Sequence, residues 1–90
     1  MTPEDVTDNR DAQQFELQQD GHLALLSYNR HADSVVLVHT EVPPELRGRR
    51  VGTTLVQGAL KIVNAERLRV VPACSFVRAY LGKHPEEKQR

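Results

Sequence analysis

The chain has a single cysteine, Cys74, no tryptophan, four aromatic residues and no net charge, with 12 Lys plus Arg against 12 Asp plus Glu. Each shortage excludes something. One cysteine rules out an intrachain disulfide and any C-x-x-C metal arrangement, and it fits a reducing cytosol. Balanced charge leaves no global field for nucleic acid or an anionic membrane, and Phe15, Tyr28, Phe76 and Tyr80 offer no obvious run of stacking platforms. No apolar run approaches the roughly 18 to 20 residues of a membrane span, and the polar, acidic start "MTPEDVTDNRDAQQ" is unlike a signal peptide. His22, His31 and His84 show no metal-ligand spacing with one another or with Cys74, so no metal is expected. These features predict one small, soluble, cytoplasmic domain, a monomer or a weak homo-oligomer, with no nucleic-acid or membrane partner.

Polar residues 1–12 lack a hydrophobic period and are expected to form a flexible tail, as are the charged residues 87–90, leaving a domain over 13–86. Within it, Phe15 and Leu17 alternate with polar residues as in a half-buried strand, and "QDG" follows as a tight turn with Gly21 at positive φ. "HLALLSYNR" carries apolar residues on both faces and predicts a strand covered at least partly on each side. After polar residues 29–34, β-branched residues 35–42 predict a third strand, stopped by Pro43 and Pro44 because neither can donate to a ladder. Three strands on short links make an antiparallel meander.

The next stretch has helical period. Arg50, Thr53, Thr54, Gln57, Lys61 and Asn64 share about one third of the circumference, and apolar residues from Val51 to Val63 fill the rest, a face wide enough to lie on a sheet. A short strand over 68–73 follows, so 35–42 and 68–73 are expected to be parallel strands of a βαβ unit. Ser75 can cap a last helix whose buried side is Phe76, Val77, Tyr80 and Leu81, ended by Gly82 and Pro85. The expected class is α+β with a mixed sheet.

Residues 47–52, "RGRRVG", place three arginines and two glycines at the start of the first helix. A helix N-terminus presents unpaired N–H groups and the positive end of the macrodipole, which suits an anion, and a diphosphate above all. The spacing is neither that of a P-loop nor that of the dinucleotide fold. A solvated helix start would look the same from spacing alone. The position favours the anion site, because open sheets bind ligands at the carboxyl ends of strands.

"VPPELRGRRVGTTLV" resembles the acetyl-CoA motif of the GNAT acetyltransferase superfamily, [QR]-x-x-G-x-[GA] after a V-x-P-x-x-R-G lead, and "VPACSFVRAYLGKHPE" resembles the C-terminal signature of its short, single-domain (YidJ-type) members. The resemblance runs over roughly residues 14–86. It implies a GNAT-like fold in which the strands of the βαβ unit splay apart to admit pantetheine. It further implies acetyl-CoA as co-substrate, held by Glu41, Val42, Arg47, Gly48, Arg49, Arg50, Val51, Gly52 and Thr53, and acetyl transfer to a small-molecule or peptide amine. Two positions depart from the pattern. Arg50 stands where the motif has glycine, and Glu87 stands where an aromatic residue is frequent.

Three residues are candidates for chemistry. Cys74 lies where a strand gives way to a helix N-terminus, a place that favours thiolate, although a lone cysteine is also a common small core residue. The resembling signature has cysteine at this place; a thiolate there could accept the acetyl group before passing it on, or shape a site for direct attack by the amine. His39, with Glu41 two residues on and on the same face, is a candidate base, because an amine must be deprotonated to attack. The resemblance gives Tyr80 the role of protonating the departing thiolate, and its apolar spacing suits core packing equally. A non-catalytic CoA-binding module is the alternative to an enzyme, and turnover separates the two.

Overall fold

The structure, a computed structural model, describes residues 1–87. One five-stranded sheet runs in the order β1 (Thr7–Asn9), β2 (Gln14–Gln19), β3 (His22–Arg30), β4 (Ser34–Glu41), β5 (Arg69–Pro72). The first four strands are antiparallel, and β5 is parallel to β4. Helix α1 (Val51–Ala65) connects the parallel pair, and α2 (Ser75–Lys83) follows β5. The α+β class and the meander, helix, parallel strand, helix order are as the sequence predicts. No described helix is long and apolar enough to cross a membrane.

Alternation sets the faces. Phe15 and Leu17 of β2, Ala24, Leu26 and Tyr28 of β3, and Leu37 of β4 point inward and are buried, with Phe15 and Tyr28 in ring contact at 4.8 Å. Both helices close over this face: Leu55, Ala59 and Val63 of α1 and Val77 and Leu81 of α2 belong to the same core. The expectation that β3 is covered on both sides holds only in part. Leu25 is half-buried, but Leu23, Val38 and Val71 are exposed, because no described helix covers the opposite face.

Residues 1–12 depart from the expected tail. Pro3–Asp5 forms a 3-10 turn, Thr7–Asn9 pairs with β2, and Val6 is buried against α1. Polar contacts, which leave no hydrophobic period, hold the segment. Asp8 accepts hydrogen bonds from the Tyr28 hydroxyl at 2.5 Å and from Arg30 at 2.9 Å. Arg30 and Arg10 both reach Glu66, at the end of α1, at 2.8 and 2.5 Å. Arg30 is mostly shielded from water, so such charge-assisted bonds stabilise more than open surface pairs do. Gly58 completes the fit: a Cβ there would lie 2.4 Å from Val6 Cγ2 and 2.5 Å from the Pro3 carbonyl oxygen. The expected C-terminal tail, 87–90, falls outside the described residues except for Glu87, which ends a 3-10 turn over Pro85–Glu87.

Candidate active site

The site begins where the parallel pairing stops. β4 and β5 are in register from Ser34↔Arg69 to Leu37↔Pro72. The Ala73 and Cys74 amides then both donate to the Leu37 carbonyl, at 3.0 and 2.8 Å, and the chain turns into α2. Pro72 has no N–H to continue the ladder. β4 itself runs on to Glu41, so its second half pairs only with β3. The β3–β4 register slips between Ser27↔His39 and Tyr28↔Leu37, which leaves Val38 as a bulge and bends the strand at the point where β5 departs. The resulting wedge has unpaired backbone along one side.

The other side is the arginine loop. Pro43 and Pro44 end β4 and start a 3-10 turn, and the fully buried Leu46 anchors it. Gly48 has φ 80° and Arg50 φ 60°, ψ 25°. Arg50 is the N-cap of α1 and its side chain makes no capping bond; the first amide to close a turn is Thr54, which donates to the Arg50 carbonyl at 3.0 Å. The N–H groups of Val51, Gly52 and Thr53 are therefore left for a ligand. Position 50 is left-handed, the conformation for which the motif's glycine is suited, so arginine here carries a backbone cost.

A cavity of about 370 Å³ lies between wedge and loop, lined by Thr40 and Val42 of the strand side, by Arg47, Gly48 and Arg50 of the loop, and by Val51, Gly52 and Thr53 of α1. Seven of the nine expected cofactor residues thus meet in one place. The other two do not. Arg49 is ion-paired with Asp20 in the β2–β3 turn, and Glu41 faces the opposite side of the sheet. Leu46 and Phe76 complete the lining. Phe76, expected to be buried, is 41% exposed, and its ring stands over Gly52. Its helical spacing fits the buried side of α2, so the available signal was the glycine it covers, a residue that permits close approach to a backbone.

Cys74, not Ser75, is the N-cap of α2. Its side chain is buried, with Sγ 3.3 Å from Thr40 Oγ1, so the thiol sits directly behind a residue that lines the cavity. Burial pushes the thiol pKa up, but the Thr40 hydroxyl and the amides of Val77 and Phe76 stabilise thiolate and bring it below the ordinary cysteine value. His39 and Glu41 lie on the far face, 3.4 Å apart and exposed. They line a second cavity of about 500 Å³ with Leu23, Pro43 and Pro44, and Thr40, Val42 and Arg47 border both cavities. The end of β4 is thus reached from either side of the sheet.

Tyr80 lies elsewhere. Its hydroxyl donates to Glu87 Oε1 at 2.7 Å, its ring stacks on His84 at 4.5 Å, and it does not line the cavity in front of Cys74. Burial first, then the Glu87 carboxylate, raises its pKa, with Gln57 opposing. The geometry joins Tyr80 to the packing of α2 and to Glu87 and not to the cysteine.

Residues 14–90 match the family described as GCN5-related N-acetyl-transferase. The chain is 33% identical over 86 residues to Protein NATD1 of Gallus gallus, covering 92% of this chain and 78% of that protein. It is 33% identical over 83 residues to Protein NATD1 of Mus musculus and of Homo sapiens, covering 89% of this chain and 76% and 74% of theirs. A strand edge freed by a bulge, facing a glycine-punctuated helix start, is thus found in a chain that belongs to the GCN5-related N-acetyl-transferase family.

Proposed function

We propose that the protein moves the acetyl group of acetyl-CoA to an amine, as one of the short single-domain members of its family. The observation that carries this reading is the separation of β4 from β5 after Leu37, beside a cavity walled by the free amides of Val51, Gly52 and Thr53. The diphosphate binds these amides with Arg47 and Arg50, and the pantetheine arm, with its own amide groups, runs along the unpaired edge of β4. The thioester then reaches the region of Thr40 and Cys74. A small-molecule or peptide amine enters from the opposite face past His39 and Glu41, where His39 takes the proton that a charged amine must lose.

The lowered thiol of Cys74 supports transfer in two steps. Its thiolate attacks the acetyl carbonyl, the carbon–sulfur bond to CoA breaks, and CoA leaves as a thiolate that takes up a proton. The neutral amine then attacks the acetyl-cysteine, forming the C–N bond; the carbon–sulfur bond to Cys74 breaks, its thiolate is released and the nitrogen gives up one proton to solvent. Cys74→Ala is expected to bind acetyl-CoA within about twofold of wild type while transfer falls by roughly three orders of magnitude. Wild type quenched before amine is added should carry one acetyl group on Cys74 by intact-protein mass spectrometry. A fully active alanine variant with no adduct on wild type would sink the relay and leave direct attack. No thermal shift at millimolar CoA, with no thiol release for any amine in a broad panel, would overturn the enzyme reading itself.

A further inference from the structure

The cavity on the outer face of the sheet has a reacting end, an apolar wall and a charged rim. Thr40 lines it and lies 3.3 Å from Cys74 Sγ, so the end beside Thr40 and His39 is the one that meets the thioester. The wall is Leu23, from the start of β3, facing Val42, Pro43 and Pro44, which follow β4. A carboxylate stands on either side of that apolar stretch. Glu41, before Val42, lies 3.4 Å from His39 Nε2. Glu45, after Pro44, lies 3.8 Å from Nδ1 of His22, the residue before Leu23. Four residues separate the two acids, so their α-carbons are no more than about 14 Å apart. Neither acid pairs with a lysine or arginine among the described residues, and their side chains are 63% and 57% exposed. Arg47 is the cation in the lining; its Nε donates to the Val42 carbonyl at 3.3 Å, and it also borders the cavity of the arginine loop.

Resting on the acetyl-transfer reading above, we infer that the acceptor is an aliphatic diamine: one nitrogen is acetylated at the His39 end, the methylene stem lies along Leu23, Pro43 and Pro44, and the far ammonium is held by Glu45. Methylene groups on an apolar wall with a charge at its open end are how long cationic side chains settle on protein surfaces, stem buried and head in water. A neutral alkylamine would fill the wall and leave Glu45 without its ion pair, whereas a carboxylate at the far end of the stem would meet a like charge. The same arrangement limits the reaction to one acetyl group per molecule. After transfer the product keeps one ammonium and has gained a neutral amide, so a second round would set that amide against Glu45. Glu45 acts on choice of acceptor and not on the acyl transfer itself, since it stands beyond Pro44 from His39 and Thr40.

The test is thiol release from acetyl-CoA with 1,4-diaminobutane, 1-aminobutane, 4-aminobutanoate and N-acetyl-lysine methylamide, which has a lysine stem and no second charge. For wild type, kcat/KM should be about fivefold higher for the diamine than for 1-aminobutane or the lysine amide, the upper size of an exposed ion pair, and 4-aminobutanoate should be the poorest acceptor. Mass spectrometry of the product should show the monoacetyl diamine. Glu45→Gln should bring the ratio of diamine to 1-aminobutane close to that of the bare amines in solution, and Glu45→Lys should shift the ratio of diamine to 4-aminobutanoate by at least about tenfold toward the acid. Equal use of diamine and lysine amide by wild type, or ratios that do not move in either variant, would overturn the diamine inference and leave acetyl transfer standing. If no amine is acetylated, the acetyl-transfer reading falls, and calorimetric titration of 1,4-diaminobutane into CoA-saturated wild type and Glu45→Gln reads the subsite on its own. Binding that weakens severalfold in the variant supports it; equal or absent binding overturns it as well.

Discussion

Replacing Arg50 with glycine separates what this residue costs the backbone from what its charge contributes to a ligand. Its φ of 60° and ψ of 25° put it in the left-handed region, and the side chain makes no capping bond in return. An L-residue there costs roughly 1 to 2 kcal/mol. Glycine removes that strain but brings back about 0.4 to 1 kcal/mol of chain entropy in the unfolded state. The expected net gain for Arg50→Gly is about 0.5 to 1 kcal/mol, which for a domain of this size raises Tm by about 3 to 5 °C. Arg50→Ala keeps the strain and loses the charge, so its Tm should stay within about 2 °C of wild type. Both variants should weaken CoA binding by about tenfold, the size of one lost charge-assisted bond. Differential scanning calorimetry without ligand, paired with CoA titration, reads the two effects apart. A glycine variant that melts below wild type, or an alanine variant that melts as high as glycine, would refute the strain argument.

Gly58→Ala should cost about 1 to 3 kcal/mol, because the added methyl meets the Pro3 carbonyl as well as Val6 and the N-terminal segment must lift from α1. Hydrogen exchange at Thr7–Asn9 should rise in that variant, and unchanged protection would show that the segment is held without the close approach. For Cys74, a lowered pKa means that thiolate forms at lower pH than in free cysteine, so the iodoacetamide rate, scaled to its plateau, should reach half-maximum at lower pH than it does for a free cysteine peptide. With the folded value the lower of the two, ionisation adds stability above the unfolded cysteine pKa and that contribution is lost as pH falls through the folded one. Thr40→Val removes the hydroxyl and should move the midpoint up; a midpoint that stays put would assign the shift to the α2 amides alone.

Period and punctuation carried most of the fold: alternation from Phe15 to Leu17, the two prolines after β4 and the amphipathic run from Val51 each correspond to an observed element. What escaped was held by polar or tertiary contacts. β1 has Val6 as its one buried apolar neighbour, and its place depends on Asp8, Arg30 and Glu66, residues 22 and 36 positions from the arginine that joins them. The arginine loop was legible because glycines and arginines cluster within six residues. Its limits were not, since Arg49 turns to Asp20 on a different hairpin and Phe76 arrives from a different helix. Tyr80 and Phe76 share one helical stripe, and only the approach angle of α2 decides which of them lines the cavity of the arginine loop.

The order of strands also governs how the sheet meets other chains. Its longest members, β3 and β4, lie inside, while the rims are β1, with three residues, and β5, with four and ending in a proline. A rim this short gives an incoming strand few ladder bonds, and Pro72 withholds one donor outright. That matters because the outer face displays Val71 on the β5 rim, Val38 on the neighbouring β4 and Leu23 further in on β3. Apolar side chains next to a long open edge would nucleate cross-β stacking during folding; beside β5 they meet only a clipped rim, and the free edge of β4 past Leu37 is short, follows a bulge and faces the arginine loop.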